Sequence, residues 1–263
     1  MRFYGSGEKG KPVIFLFPGT CCLWTSFDHV LEELHKSFYT VVVSYDGFDP
    51  KEKTEFPSML EECEKIEAEV RKNYGGKIKA AYGCSLGGSF VALLIQRKKI
   101  TIEHGIIGSS DMDEAGPLLA KLESAIMIPI LYPMVKKGEL SGWMKKRMDK
   151  NADPGKKELM EKFCGMFGIG KGGCPWITKK TIRNQFYSDL VTKVDHGIAV
   201  RGTTIHVFYA LKMGEKYRER YHLYFKNPDI REFDLQHEEL FCCQPVRWAE
   251  EVVECCKKKK KKI

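Results

Sequence analysis

Gly83-Cys84-Ser85-Leu86-Gly87-Gly88 is the stretch of this chain that decides the fold. It follows a short β-type run, Ile78 to Tyr82, and precedes apolar residues at helical spacing, Phe90 to Gln96. Strand, Gly-x-Ser-x-Gly turn and helix, in that order, are the context of a nucleophile elbow. A serine at such a tight turn needs strained backbone angles, and glycines on either side prevent a clash within the turn. We therefore predict that Ser85 is a nucleophile, although an ordinary Gly/Ser-rich turn would share this composition.

Strands and helices alternate on both sides of this turn. Pro12 to Phe17 and Tyr39 to Ser44 are apolar on both faces, which is typical of buried parallel strands. Helical spacing runs from Trp24 to Leu34, and the capping-box signature Ser58-x-x-Glu61 begins another helix. The remaining predicted elements are strands at Ile102 to Gly108, Thr203 to Tyr209 and Ile230 to Leu235, and a closing helix at Pro245 to Cys256. This alternation predicts an α/β fold with a mostly parallel central sheet and helices on both faces.

The sequence changes character between the two groups of strands. Residues 112 to about 200 hold seven of the ten methionines and no β-branched run of strand length. Methionine-rich helices with glycine hinges suit a mobile lid over an apolar pocket, although the same methionines would also fit an ordinary core. We divide the chain into an N-terminal part of the core at 1–110, a helical cap insertion at 111–200, a C-terminal part of the core at 201–256 and a polybasic tail at 257–263.

Length and composition restrict the class of protein. The 263 residues suit one α/β domain with an insertion, and 43% of them are hydrophobic. We expect no membrane span because no apolar run approaches the roughly 20 residues that one needs. Met1 to Lys11 lacks the apolar segment of a secretory signal. Ten cysteines without a Cys-x-x-Cys pair therefore predict a cytoplasmic protein with free thiols and no metal site.

The net charge of +8 is concentrated at the end of the sequence. Six of these charges belong to Lys257–Lys262, so the other residues carry +2. We expect a solvated tail rather than a membrane anchor, although Cys255-Cys256 beside it would suit acylation. We expect no nucleic-acid partner because no basic patch interleaved with aromatic residues accompanies the tail.

A serine nucleophile requires a base, for which the chain offers seven histidines. In open α/β sheets, functional groups lie in loops beyond the carboxyl ends of the strands. His237 follows the last predicted strand and precedes the closing helix, whereas the other six histidines fall in predicted strands, helices or the insertion. We therefore predict that His237 is the base.

Several carboxylates are candidates for the acid that orients this base. Glu215 lies just past the strand Thr203 to Tyr209, and it preserves the chain order serine, acid, histidine. Asp111, past the strand after the elbow, is the alternative acid, and Asp189 at the end of the insertion is a more remote one. Glu215 would also fit a solvated carboxylate in the first turn of a helix.

Two N–H groups are needed to bind the oxyanion of a tetrahedral intermediate. The amide of Leu86, at the start of the helix after the elbow, is one predicted donor. The loop Pro18-Gly19-Thr20-Cys21 follows the first buried strand, and its glycine permits a close approach of the backbone. Thr20 is the predicted second donor, and Cys21 is the next candidate.

These segments together resemble the α/β-hydrolase superfamily over about residues 12–110 and 200–256. The resemblance implies the α/β-hydrolase fold with a cap inserted after the strand that follows the elbow, a Ser85 nucleophile, a His237 base, an acid at or near Glu215, and no cofactor. Pro18 and Glu215 depart from the family pattern, in which histidine and aspartate are common at these places. The residues that carry the resemblance are Val13-Ile-Phe-Leu-Phe-Pro-Gly19-Thr20, Gly83-Cys-Ser-Leu-Gly-Gly88, Gly214-Glu215 and His237.

The predicted activity is that of a carboxylic ester hydrolase. It would cleave an ester or related acyl bond of a small-to-medium, largely apolar substrate through an acyl-enzyme on Ser85. An acyltransferase, or a cofactor-free lyase or perhydrolase, would use the same scaffold. A non-catalytic protein that binds a small molecule is a further alternative, but a receptor need not keep both Ser85 and His237.

Overall fold

The structure is a computed structural model, and it describes residues 1–140, 142, 146 and 154–257. The strands are β1 (Arg2–Ser6), β2 (Val13–Phe17), β3 (Tyr39–Ser44), β4 (Lys77–Cys84), β5 (Thr101–Gly108), β6 (Thr204–Ala210) and β7 (Asp229–Phe233). They form one seven-stranded sheet in the order β1-β3-β2-β4-β5-β6-β7, in which only β1 runs antiparallel to its neighbour. The predicted mostly parallel sheet is confirmed. The part of the predicted tail beyond Lys257, and Met144 and Met148 of the predicted insertion, lie outside the described residues.

The helices that the structure describes cover both faces of this sheet. They are α1 (Asp28–His35), α2 (Met59–Tyr74), α3 (Leu86–Arg97), α4 (Pro117–Lys137), α5 (Pro154–Met166), α6 (Lys179–Val191), α7 (Glu215–Tyr224), α8 (Glu239–Cys243) and α9 (Pro245–Cys255). Short 3₁₀ turns at Trp24–Phe27 and Leu211–Met213 precede α1 and α7.

Alternation along β2 divides the interior into two cores. Phe15 and Phe17 point to one face of the sheet and pack with residues of α2 and α3. Ile14 and Leu16 point to the other face and pack with residues of α1 and α9. Successive side chains of a strand point to opposite faces, so a run that is apolar throughout must be covered on both sides.

The edge strand β1 is absent from the sequence prediction. It pairs with β3 from Arg2 opposite Ser44 to Ser6 opposite Thr40. Two of its five residues are exposed and three are half-buried. A strand this short and polar, at the edge of a sheet, carries little of the hydrophobic pattern on which a prediction depends.

Three described helices, α4, α5 and α6, lie between β5 and β6, where the sequence predicts a helical insertion. By length and composition, one described helix is nevertheless apolar enough to cross a bilayer, although charged residues interrupt its apolar run. Helix α4 has 21 residues, and an 18-residue window within it has a mean hydropathy of 1.5. A core helix of a soluble protein can have the same length and hydropathy, but such a helix is mostly buried, whereas only 28% of this window is buried.

All ten cysteines are free thiols, and nine of them are buried. Cys84, in the strand that leads into the elbow, is 1% exposed. Burial raises the pKa of its thiol well above the ordinary value, so this cysteine stays protonated.

Candidate active site

The predicted strand–turn–helix elbow is present at the end of β4. Ser85 has φ 48° and ψ −115°, a conformation that L residues rarely adopt, and it precedes the first residue of α3. A Cβ atom on Gly83 would lie 2.0 Å from the backbone of Gly87, and one on Gly87 would lie 2.1 Å from the carbonyl oxygen of Phe17. Glycine is therefore required at both positions for the turn to close.

Ser85 is accessible within a buried segment. From Ala80 to Ile95 every residue is buried except Ser85, which is half-buried. The elbow thus leaves the side chain of Ser85 partly exposed at the carboxyl edge of the sheet.

Positive φ angles are concentrated around this serine. Among the described residues, seven that are not glycine have positive φ, and five of them lie at the elbow or in loops that follow strands of the same sheet. These five are Cys21, Ser85, Ser109, Met112 and Glu238. Such conformations cost of the order of 1–3 kcal/mol each and tend to occur at functional sites.

The loop after β2 lies beside Ser85. A Cβ atom on Gly19 would stand 3.5 Å from the Cβ of Ser85, so this glycine lets the loop approach closely. The amide of Leu86 belongs to the first turn of α3, where N–H groups have no helical acceptor. The amide of Cys21 donates to Oε1 of Gln185 at 2.8 Å, which leaves Thr20 as the better donor of the two that the sequence offers in this loop.

Gln185 is a residue of the site that sequence reasoning missed. Its side chain is fully buried on α6, and it contacts a loop that lies 164 residues away in the chain. Its Oε1 accepts the hydrogen bond from Cys21, while its Nε2 has no hydrogen-bond partner among the described residues. Gln185 therefore ties the helical segment after β5 to the loop after β2.

His237 follows β7 at the same edge of the sheet, and its side chain is half-buried. The next residue, Glu238, accepts a hydrogen bond at Oε1 from the backbone N–H of Ser85 at 2.9 Å. This contact holds the histidine loop against the elbow across 153 residues of sequence. In the described part of the chain no hydrogen bond joins His237 to the Ser85 hydroxyl, and such bonds are often long before substrate binds.

Glu238, which the sequence analysis also missed, is the most enclosed carboxylate of the site. It is 3% exposed, and its Oε2 accepts a hydrogen bond from the Tyr82 hydroxyl at 3.3 Å. Burial raises the pKa of Glu238, while the charge of His237 and the hydrogen bonds from Ser85, Cys84 and Tyr82 oppose the rise. These donors give the ionised form several partners, as a buried carboxylate requires.

Asp111 and Glu215, the two main candidates for the acid, have different surroundings. Glu215 is the first residue of α7, its side chain is 64% exposed, and it forms an ion pair with Arg218 at 3.4 Å. Asp111 is half-buried and lies within electrostatic reach of His237. Burial, and then the charge of Asp113, raise the pKa of Asp111, and the charge of His237 opposes the rise. This placement favours Asp111 over Glu215 as the partner of His237.

Asp189, the more remote candidate, lies on α6 close to Asp111. It is hydrogen-bonded to Ser89, and burial followed by the charge of Asp111 raises its pKa well above the ordinary value. A carboxyl group with a raised pKa beside another carboxylate tends to hold a proton, so Asp189 is less suited than Asp111 to support a positive imidazolium.

A cleft of about 350 Å³ opens beside His237. Helix α5 forms its apolar wall with Leu159, Met160 and Phe163, and the ring centroids of Phe163 and His237 are 6.3 Å apart. Lys156 and Lys157 stand at its exposed rim. In the described ranges no three histidine, cysteine or acidic side chains are grouped so that they could hold a metal ion.

Solved structures of α/β hydrolases are similar to this chain over nearly its whole length. An α/β hydrolase family protein from Desulfitobacterium hafniense has a TM-score of 0.77 and 16% identity, and the match covers 97% of this chain and 100% of that chain. A hydrolase from Pseudomonas aeruginosa has a TM-score of 0.72 and 12% identity, with 97% and 94% covered. A lipase-esterase related protein from Clostridium acetobutylicum has a TM-score of 0.69 and 15% identity, with 96% and 98% covered.

No family profile and no curated protein sequence matches the chain. At the identities of the structural matches, the similarity shows the fold alone. The chain has the α/β-hydrolase fold, and the resemblance expected from its motifs is confirmed at that level.

Proposed function

We propose that this chain is a serine hydrolase that cleaves an ester or related acyl bond through an acyl-enzyme on Ser85. The observation that carries the proposal is the elbow itself. Ser85 is the one residue between Ala80 and Ile95 that is not buried, and it has a positive φ. Its backbone N–H donates a hydrogen bond to the side chain of Glu238, the residue that follows His237. A strained, accessible serine beside a histidine loop is the arrangement that nucleophilic catalysis by an alcohol requires.

The proposed proton steps use Ser85, His237 and one carboxylate. Oγ of Ser85 attacks the acyl carbonyl carbon, and His237 takes its proton and returns it to the leaving alcohol. Water then repeats the sequence on the acyl-enzyme and regenerates Ser85. We assign Asp111 as the acid that orients His237, in place of Glu215. Asp111 is half-buried and the charge of His237 favours its ionised form, whereas Glu215 is exposed and pairs with Arg218.

The developing oxyanion would be bound by backbone amides of Thr20 and Leu86. Both belong to segments that meet at Ser85, since Gly19 approaches the serine Cβ and Leu86 begins α3. The positive end of the α3 dipole adds to this stabilisation. Loss of one such donor typically costs about 2.7–4 kcal/mol of transition-state stabilisation.

We further propose that the segment 111–200 acts as a cap over the substrate and that the acyl group is small to medium and largely apolar. Helix α5 supplies Leu159, Met160 and Phe163 to the cleft beside His237. Apolar acyl groups gain about 25 cal/mol per Å² when such walls remove them from water.

A fluorophosphonate probe tests the nucleophile, because it phosphonylates an activated serine. We expect labelling of the wild-type chain and none of Ser85→Ala. Ser110→Ala is the matched control, since Ser110 is a buried serine at the same edge of the sheet, and it should keep its labelling. Unlabelled wild-type protein, or a label that survives Ser85→Ala, overturns the proposal. Turnover of p-nitrophenyl esters of increasing chain length then measures the acyl preference.

A further inference from the structure

Helix α4 carries a cluster of large, exposed apolar side chains. The exposed fractions are 84% for Leu118, 51% for Leu119, 58% for Leu122 and 58% for Ile126. These four residues are among the ten exposed large hydrophobic residues of the described chain, and they all lie in the first half of one helix. Contiguous exposed apolar surface of this kind marks a binding surface.

Helical spacing places these residues on one side of α4. The exposed apolar residues recur at intervals of three and four, which puts them on a single face. They are Leu118, Leu119, Leu122, Ala125, Ile126, Pro129 and Pro133. The opposite face is buried and carries Ala120, Ser124, Ile128 and Val135. Helix α4 is therefore apolar on both sides, although only one side is covered.

Positive charge borders the exposed face. Lys121 on α4 and Lys179 and Arg183 on α6 line a groove of about 360 Å³ between the two helices. Lys180, the neighbour of Lys179, forms an ion pair with Glu55 at 2.5 Å. Within the described residues, none of the three groove cations has such a partner.

We propose that this face of α4 docks on the surface of an anionic lipid bilayer. Its leucine and isoleucine side chains would enter the boundary between headgroups and acyl chains, while Lys121, Lys179 and Arg183 contact lipid phosphates. The helix lies on the membrane rather than across it, because its buried side packs against α6 in the protein.

Charge argues for a lipid surface over a second copy of this chain. A two-fold contact through this face with the two copies of α4 antiparallel would bring the groove cations of both copies to the same edge, and like charges oppose association. An anionic leaflet supplies the charge opposite to that of the three groove cations.

Vesicle co-sedimentation of the full chain tests the inference. We expect binding to phosphatidylcholine vesicles that contain about 30% phosphatidylserine, and at least about tenfold weaker binding to phosphatidylcholine alone or at about 0.5 M salt. Leu118→Gln/Leu122→Gln and Lys179→Gln/Arg183→Gln should each weaken binding at least about tenfold.

Two control variants separate this face from the rest of the surface. Leu60→Gln/Leu223→Gln removes two other exposed leucines, which are 46% and 51% exposed, and it should bind like the wild type. A variant with glutamine throughout 257–262 should keep binding that depends on Leu118 and Leu122. Vesicle binding that depends on the tail alone, or that persists in Leu118→Gln/Leu122→Gln, overturns the inference.

The oligomeric state supplies a further outcome. The wild-type chain could be a dimer that becomes a monomer in Leu118→Gln/Leu122→Gln. That result would show that the face is a contact between two copies of the chain, and it would also overturn the inference. This test does not depend on catalysis, because a chain that labels with fluorophosphonate yet fails to bind vesicles contradicts the membrane inference alone.

Discussion

The backbone N–H of Ser85 donates a hydrogen bond to Oε1 of Glu238 at 2.9 Å, and Glu238 is the residue after His237. One contact therefore joins the elbow to the loop of the proposed base. It also buries a carboxylate beneath the site. Burial raises the pKa of Glu238, while the charge of His237 and the hydrogen bonds from Ser85, Cys84 and Tyr82 oppose the rise. A negative charge near His237 would stabilise the imidazolium that forms during catalysis.

Glu238→Gln tests the charge while keeping an oxygen acceptor for the Ser85 N–H. We expect kcat to fall about tenfold and the free energy of unfolding to change by less than about 1.5 kcal/mol, because the shape of the side chain is preserved. Glu238→Ala should instead destabilise the protein by about 2–4 kcal/mol, since it leaves buried donors unpaired. Urea unfolding and ester turnover measure both effects. If kcat is equal in the wild type and Glu238→Gln, the negative charge of Glu238 does not contribute to catalysis.

Asp111→Asn and Glu215→Gln form a matched pair that identifies the acid. We expect Asp111→Asn to lower kcat/KM by on the order of 10³-fold, because a neutral amide cannot support the imidazolium. Glu215→Gln should change kcat/KM less than about twofold, since it removes a surface ion pair. The reverse result would identify Glu215 as the acid.

The pH profile gives a second readout of Asp111. Its pKa is raised above the ordinary value of 3.8, so the carboxyl takes up its proton at a higher pH than an exposed aspartate does. In the proposed mechanism Asp111 acts in its ionised form. The ratio of wild-type to Asp111→Asn activity, measured as a function of pH, should therefore begin to fall on acidification at a higher pH than an ordinary aspartate would give.

The elbow and the parallel strands were predictable because local patterns encode them. Runs that are apolar on both faces, such as Val13–Phe17, and glycines that the turn requires leave a signal in the sequence. The direction of the Glu215 side chain leaves no such signal. Glu215 lies past β6, where a catalytic acid is expected, but its carboxylate is exposed to solvent. Gln185 and Glu238 act through contacts across 164 and 153 residues, which no local pattern records.

Gly83→Ala should destabilise the protein strongly. The added Cβ would lie 2.0 Å from backbone atoms of Gly87, which cannot move without opening the turn. We expect a loss of about 3 kcal/mol or more in the free energy of unfolding. Gly165→Ala is the matched control: it lies within α5 with no atom near the new methyl group, and alanine should stabilise that helix by about 0.5–1 kcal/mol. Similar stability of the two variants in urea would contradict this account of the elbow.

Gln185→Met should slow the chemical step. It keeps the volume of the side chain but removes the acceptor for the Cys21 N–H, so the loop that carries Thr20 loses its anchor. We expect kcat to fall about tenfold with little change in KM, because the loop acts on the transition state more than on the bound substrate. Asn184→Met, next to it on α6, removes a hydrogen bond to the carbonyl of Phe56 and should leave kcat unchanged. A rise in KM with kcat unchanged in Gln185→Met would refute this role.

His104 makes the stability of the protein depend on pH. Its Nδ1 is hydrogen-bonded to Nε2 of His206 at 3.2 Å, and Nδ1 of His206 lies 2.8 Å from Oδ2 of Asp229. Burial, then the charges of Lys79 and His206, lower the pKa of His104 from 6.5 to about 4, while Glu103 opposes the shift. Between these two values the unfolded chain binds more protons than the folded one, so stability falls as the pH falls.

We expect His104 to contribute a loss of about 1–2 kcal/mol in the free energy of unfolding between neutral pH and about pH 4.5, a range reduced from the full shift because His104 is partly exposed. Burial raises the pKa of Glu62 to about 7, which opposes this loss equally in every variant. His104→Gln should flatten this slope, and His222→Gln, which replaces an exposed histidine on α7, should keep it. Glu103, whose pKa is lowered to about 2 by hydrogen bonds from Lys77 and Lys79, adds a separate loss at still lower pH in every variant. Urea titrations at a series of pH values measure the slope, and an unchanged slope in His104→Gln would show that the proton is taken up elsewhere.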